Sequence, residues 1–203
     1  MVDLDTVLFV DVETGGINPK EHSLLQVGLV LWKDGKIKDE EIINVKHDSY
    51  NVTSKALEIN GIDLTKHQKR AVKPYVVPKK IQDFLARNFK TKDSNYRPDS
   101  RFKEDKVVIG GHNTSFDAGF LKENYRTHPF NYGDHFSYRE VDTSAILKYL
   151  YHSGVIDEKV KSLDDALEYF DVDIERPDEH NALNCSLATA KLYNVLIELQ
   201  WWV

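Results

Sequence analysis

The chain has 203 residues, 41% hydrophobic and 30% charged, which is enough apolar material for one sizeable core and excludes a disordered or fibrous polymer. A single cysteine, Cys185, excludes an internal disulfide framework and any zinc knot built on several thiolates, and fits a reducing compartment. The net charge of −6 excludes a simple basic coat for nucleic acid, but not a nucleic-acid enzyme whose bound cations bring the positive charge. No apolar run is long enough to span a bilayer, and the opening MVDLDTVLFVDVE carries acids where a secretion signal carries bases, so a cytoplasmic protein without membrane contact is expected.

Elements read in chain order give a β-rich opening and a helical remainder. Val7 to Val12 is a nearly continuous apolar run, the pattern of a buried central strand. Leu24 to Trp32 and Ile37 to Val45 follow as strands joined by a turn at Lys33-Asp34-Gly35-Lys36, an antiparallel meander. A short helix over Thr53 to Asn60 stops at Gly61, and a second runs from near Pro78 to Phe89. Residues 90–106 contain no aliphatic side chain and are expected to form an exposed loop. Val107 to Gly110 is a further buried strand, followed by helices over Ser115 to Tyr125, Thr143 to Tyr151, Ser162 to Phe170 with Ser162 as cap, and about Glu179 to Leu199. In the last helix, Leu192, Val195, Leu196 and Leu199 form a stripe suited to packing on a sheet. This is one mixed α/β domain spanning residues 1–203.

Three clusters carry chemistry. Asp11 and Glu13 are two apart on a strand, so both carboxylates leave the same face, and a divalent cation would relieve their repulsion. The alternative is a strand end with two solvated acids and a turn at Thr14-Gly15-Gly16. Gly110 to Asp117 (GGHNTSFD) lies where a strand gives way to a helix, and there Asp117 is either a first-turn capping group or a ligand. Pro177 to Asn184 (PDEHNALN) begins the last helix, and its His180 is either a surface or capping side chain or a base.

The ordered set FVDVETGG, GHNTSFDAGFL and EHNALN, with Ala56 to Ile62 (ALEINGI), Asp142-Thr143 and Ser162-Leu163 between them, resembles the DEDDh family of 3′-to-5′ exonucleases over nearly the whole chain. That resemblance implies a ribonuclease H-like α/β fold, a mixed five-stranded sheet flanked by helices. It also implies two divalent cations, Mg or Mn, on Asp11, Glu13 and Asp117, with His180 as general base. Substrate contacts would come from backbone amides around Thr14 and Gly15, from Asn113, and from Leu57, Ile62 and Phe116 against the last bases of a single-stranded or 3′-frayed DNA or RNA. A homodimer or larger complex is open, and Trp201-Trp202-Val203 is apolar enough to dock on the domain or on a partner.

One position departs from the family. An aspartate is expected five residues after the histidine, and Cys185 stands there. Magnesium prefers hard oxygen ligands, so its affinity is expected to fall. An aspartate replaced to trap an inactive form, a natural variant of reduced or lost activity, and a site completed by another acid such as Asp178 all remain open. The leading reading is an impaired nuclease, and the alternative is an inactive nucleic-acid-binding or assembly module on the same fold. A soft-metal site of Cys185 with His180 alone has too few ligands. Lys66, Lys69, Arg70, Lys73, Lys79 and Lys80, with no acid among residues 64–82, form a basic segment that is either a phosphate track or an ordinary solvated face.

Overall fold

The computed structural model describes residues 6–89, 106–157, 159–174 and 181–199. Among the described residues, five strands run β1 Thr6–Thr14, β2 Leu24–Lys33, β3 Lys36–Asn44, β4 Val107–Gly111 and β5 Phe136–Asp142. Also among the described residues, the α-helices are α1 Ser54–Asn60, α2 Leu64–His67, α3 Val77–Asn88, α4 Thr114–Tyr125, α5 Tyr132–His135, α6 Thr143–His152, α7 Leu163–Tyr169 and α8 Ala182–Glu198. The strand order is β3-β2-β1-β4-β5, with β2 antiparallel to both neighbours and β4 and β5 parallel to β1, so the sheet is mixed and β1 is central.

The meander closes at Asp34-Gly35, where both residues have positive φ (51° and 75°), the backbone that a two-residue hairpin with native twist requires. Thr53 caps α1 by accepting from the Ala56 amide, and Ser162 caps α7 in a reciprocal box with Asp165. Pro78 sits in the first turn of α3, where its missing N–H costs no bond. The parallel strand β5 and the short helices α2 and α5 lie where no element is expected from the sequence. In β5 (FSYREVD) the charged residues interrupt the apolar run, as suits an edge strand with a solvated side.

Side-chain alternation along β1 divides the core. Leu8, Val10 and Val12 join residues of α3 and α4, including Phe84, Phe120 and Leu121, on one face. Val7 and Phe9 face the other way and pack with Val30, Trp32 and Ala190 of α8. Leu192 and Leu196 of α8 continue into a second apolar cluster with Leu147 and Leu150 of α6 and Ala166 and Leu167 of α7. Asp11 and Glu13 therefore prolong the Val7 and Phe9 stripe toward α8 at the end where the apolar supply stops. Among the described residues no helix is long and apolar enough to cross a membrane.

Candidate active site

Placement of the site begins at Gly28 of β2, the rung opposite Asp11. A Cβ there would come 2.1 Å from the Ala182 carbonyl oxygen and 2.6 Å from the Leu183 nitrogen, so only glycine lets the first turn of α8 lie on the sheet. Ser186 fastens that turn by donating from Oγ to the Gly28 and Ala182 carbonyls at 3.2 and 2.9 Å. Asn181 caps the helix by accepting from the Asn184 amide at 3.0 Å. The Cys185 amide donates to the Asn181 carbonyl at 3.2 Å, which fixes the Cys185 backbone in the same turn.

The result is a convergence of donors. One carboxylate oxygen each from Asp11 and Glu13 and the sulfur of Cys185 all lie within 4.8 Å of one another, and all three side chains are half-buried. The same-face expectation for Asp11 and Glu13 is met. A register shift between Glu13 and Thr14 ends the regular pairing of β1 with β2 immediately beyond, the kind of irregularity that re-aims side chains at a strand end.

Asp117 reaches the site from the other side. It is 4% exposed and accepts from the Val12 amide at 2.9 Å, a bond to a residue 105 positions away. It is thus more than a helix cap, because it ties the start of α4 to the strand that carries the acids. Its pKa is raised to about 8, chiefly by burial and also by the nearby Glu13 and Asp142 carboxylates, against the Val12 bond and a bond from its own backbone that favour the charge. Asp11 is held well above the usual carboxylate range by burial and by the charges of Asp117 and Glu13. Asp142 lies close by, with its own carboxylate capping α6 through the Ser144 and Ala145 amides and accepting from the Asn113 amide at 3.0 Å. Anions gathered in a partly buried place gain from a cation, and this donor set fits a divalent one.

The expected substrate residues fare differently. Thr14 is buried, donates from Oγ1 to the Gly16 carbonyl at 2.7 Å and accepts at its own carbonyl from Asn60 Nδ2 at 3.1 Å. Gly15 donates its amide to the Ser23 carbonyl and accepts at its own carbonyl from Thr53, both at 2.7 Å. Its amide is therefore committed inside the fold and is not available for a terminal hydroxyl, which corrects the expectation for that group. A cavity of about 500 Å³ is lined by Gln26, Ile59, Ile62, Lys66, Arg70 and Asn181 among others. Two of its walls adjoin the acids in the fold, Gln26 being the strand partner of Glu13 and Asn181 the cap of α8. Ile62 belongs to this wall, whereas Leu57 is half-buried on α1 outside it. Phe116 is half-buried against Phe120 with ring centroids 5.2 Å apart. Asn113 is exposed at the α4 cap with φ 71°.

The basic segment is partly neutralised in space. Lys66 pairs with Asp63 at 3.6 Å, Lys79 with Asp83 at 2.6 Å, and Lys73 with Asp48. His180, Asp178, Trp201 to Val203 and residues 90–105 of the expected loop lie outside the described residues. Sequence reasoning missed Gly28 and Gln26, and named Ile59 and Asp142 only within family-like segments, without a role of their own. An isolated glycine inside LLQVGLVLW was the available signal for the first, since it marks a close backbone approach.

No family model matches the chain. It is 25% identical to "Ribonuclease T" of Yersinia pseudotuberculosis serotype O:1b (strain IP 31758), over 93% of this chain and 82% of that protein. It is 24% identical to "DNA polymerase III PolC-type" of Clostridium perfringens (strain 13 / Type A), over 93% of this chain and 11% of that one. These similarities support the resemblance to the DEDD family of 3′-to-5′ exonucleases. The chain's fold matches a solved exonuclease I with a TM-score of 0.75 at 17% identity, over 98% of this chain and 43% of that one, so it spans less than half of exonuclease I. Escherichia coli exonuclease I in complex with a dT13 oligonucleotide matches with a TM-score of 0.73 at 16% identity, over 98% of this chain and 42% of that one. The chain thus has the ribonuclease H-like fold expected from its motifs.

Proposed function

We propose that this chain is a metal-dependent 3′-to-5′ exonuclease that removes nucleoside 5′-monophosphates from single-stranded or frayed DNA or RNA. The observation that carries the reading is the convergence of Asp11 and Glu13 at the end of the central strand, with Asp117 held against the same strand through Val12. Magnesium or manganese, two ions when fully loaded, would neutralise the phosphate charge and acidify the attacking water. Asp11, Glu13 and Asp117 would hold them, and a cation would relieve the burial and mutual repulsion that raise the Asp11 and Asp117 carboxyls above the usual range.

His180 is assigned the base that takes the proton from the attacking water, because imidazole changes charge near neutral pH. The water oxygen forms the new bond to phosphorus, and the 3′ oxygen of the preceding nucleotide leaves and is protonated. The cavity beside Glu13 is assigned to the strand terminus. Ile59 and Ile62 offer apolar contact to a base, and Lys66 and Arg70 offer charge to the phosphates behind it. Phe116, Leu57 and Asn113 are assigned secondary contacts, and Thr14 with Gly15 shape the turn beneath the terminus. A cytoplasmic setting suits the single thiol at the site.

Digestion of matched DNA and RNA oligomers, with and without magnesium or manganese, tests the proposal on the parent chain and on Cys185→Asp. Shortening from the 3′ end by either protein, abolished by chelation, supports it. Binding by both without cutting by either assigns the fold to a binding module instead.

A further inference from the structure

The position that departs from the family lies within reach of the two carboxylates rather than apart from them. Donors around one tetrahedral ion, with oxygen at about 2.1 Å and sulfur at about 2.3 Å, are about 3.6 Å apart. The Asp11, Glu13 and Cys185 donors already lie within 4.8 Å of one another, so small side-chain rotations bring them onto a common ion. The Cys185 backbone is held in the first turn of α8, its amide donating to the Asn181 carbonyl and its carbonyl accepting from Thr189 Oγ1 at 2.9 Å. Cys185 is also half-buried and not sealed, so an ion can reach it.

We infer that Cys185 is a direct metal ligand, and that the site it forms with Asp11 and Glu13 selects a thiophilic divalent cation, of the zinc or cadmium class, over magnesium. This deepens the reading of Asp11 and Glu13 as a cation site and rests on it. Two carboxylates and one thiolate make a three-donor set with room for a water, which the pairing of Cys185 with a lone histidine did not provide. Sulfur is a poor partner for magnesium, which demands oxygen in a near-ideal octahedron, and a good one for borderline and soft ions. On binding, the Sγ–H proton is released to solvent and the sulfur lone pair forms the bond to the metal, with no change of oxidation state.

The test is spectroscopic and uses the full chain with the metal alone. Cobalt(II) is titrated into the parent chain, Cys185→Ser, Cys185→Asp and the double variant Asp11→Asn with Glu13→Gln, each checked for native circular dichroism. The expected result is a thiolate-to-cobalt charge-transfer band in the parent that is absent from both Cys185 variants and strongly weakened in the double variant. Calorimetric competition is expected to show cadmium affinity falling, and magnesium affinity rising, by about tenfold or more in Cys185→Asp. Absence of the band from the parent, its survival in the double variant, or an unchanged ratio of cadmium to magnesium affinity would overturn the inference. Cys185→Ser, nearly isosteric, keeps the test decisive if the aspartate variant misfolds. A band without any nuclease activity would leave the metal site standing and remove the exonuclease reading.

Discussion

Replacing Asp117 with asparagine should stabilise the metal-free protein, and by an amount that grows with pH. The side chain is 4% exposed and holds its proton to about pH 8, while in the unfolded chain it ionises near 3.8. Below 3.8 both states are protonated and the group is neutral in the balance. As pH rises toward 8 only the unfolded state gives up its proton, so native stability drains away over that window. Asparagine keeps the oxygen that accepts from the Val12 amide and cannot ionise. The stability gap between Asp117→Asn and the parent should therefore widen by roughly 1.4 kcal/mol per pH unit, about 3 kcal/mol between pH 5 and pH 7.5. Urea unfolding in chelator at several pH values reads this directly. Manganese should then reverse the order, because a ligand at a hundredfold excess over its Kd adds about 2.7 kcal/mol to the form that binds it. A gap that stays constant or narrows as pH rises would refute the buried, proton-retaining picture of Asp117.

Three further outcomes follow from other parts of the molecule. Gly28→Ala should cost about 1 to 3 kcal/mol by overpacking and reduce nuclease activity at least tenfold, because the new methyl meets the Ala182 carbonyl and lifts α8 from the sheet; thermal unfolding and oligonucleotide digestion check it. His135 is fully buried, donates to or accepts from the Tyr125 hydroxyl at 2.6 Å, and has its pKa lowered by burial to about 4. Its contribution is complete above pH 6.5 and is lost as pH falls toward 4, up to about 3 kcal/mol, and that acid-side slope should flatten in His135→Asn. Arg70→Ala should raise KM for a single-stranded oligomer, leave kcat unchanged and lower the salt dependence of binding by about one charge, measured by fluorescence anisotropy at several salt concentrations.

Much of the fold was legible because local rules agreed with the tertiary structure. The run Val7 to Val12 is apolar throughout since β1 is covered on both faces, and Thr53, Gly61, Pro78 and Ser162 mark helix ends through bonds made within a few residues. Strand β5 was not legible, because an edge strand with charged residues lacks the apolar signature of a buried one. At the site, period-two alternation correctly put Asp11 and Glu13 on one face. The sequence left Asp117 open between cap and ligand, because the bond that distinguishes these roles runs to Val12, far away in the chain. The Gly15 amide looked available for the same reason, as its partner Ser23 arrives from the other side of a turn. For Cys185, spacing gave the position, and only the packing of α8 on Gly28 shows that its sulfur shares a space with both carboxylates.

The most direct measurement follows a 5′-labelled single-stranded oligomer exposed to Cys185→Asp and to the triple variant that adds Asp11→Asn and Glu13→Gln, with manganese and with chelator. A ladder shortening one nucleotide at a time from the 3′ end, seen only with manganese and only while Asp11 and Glu13 are intact, is the expected result. Cleavage that persists without the two carboxylates or without a divalent ion, or that begins inside the strand, would contradict it.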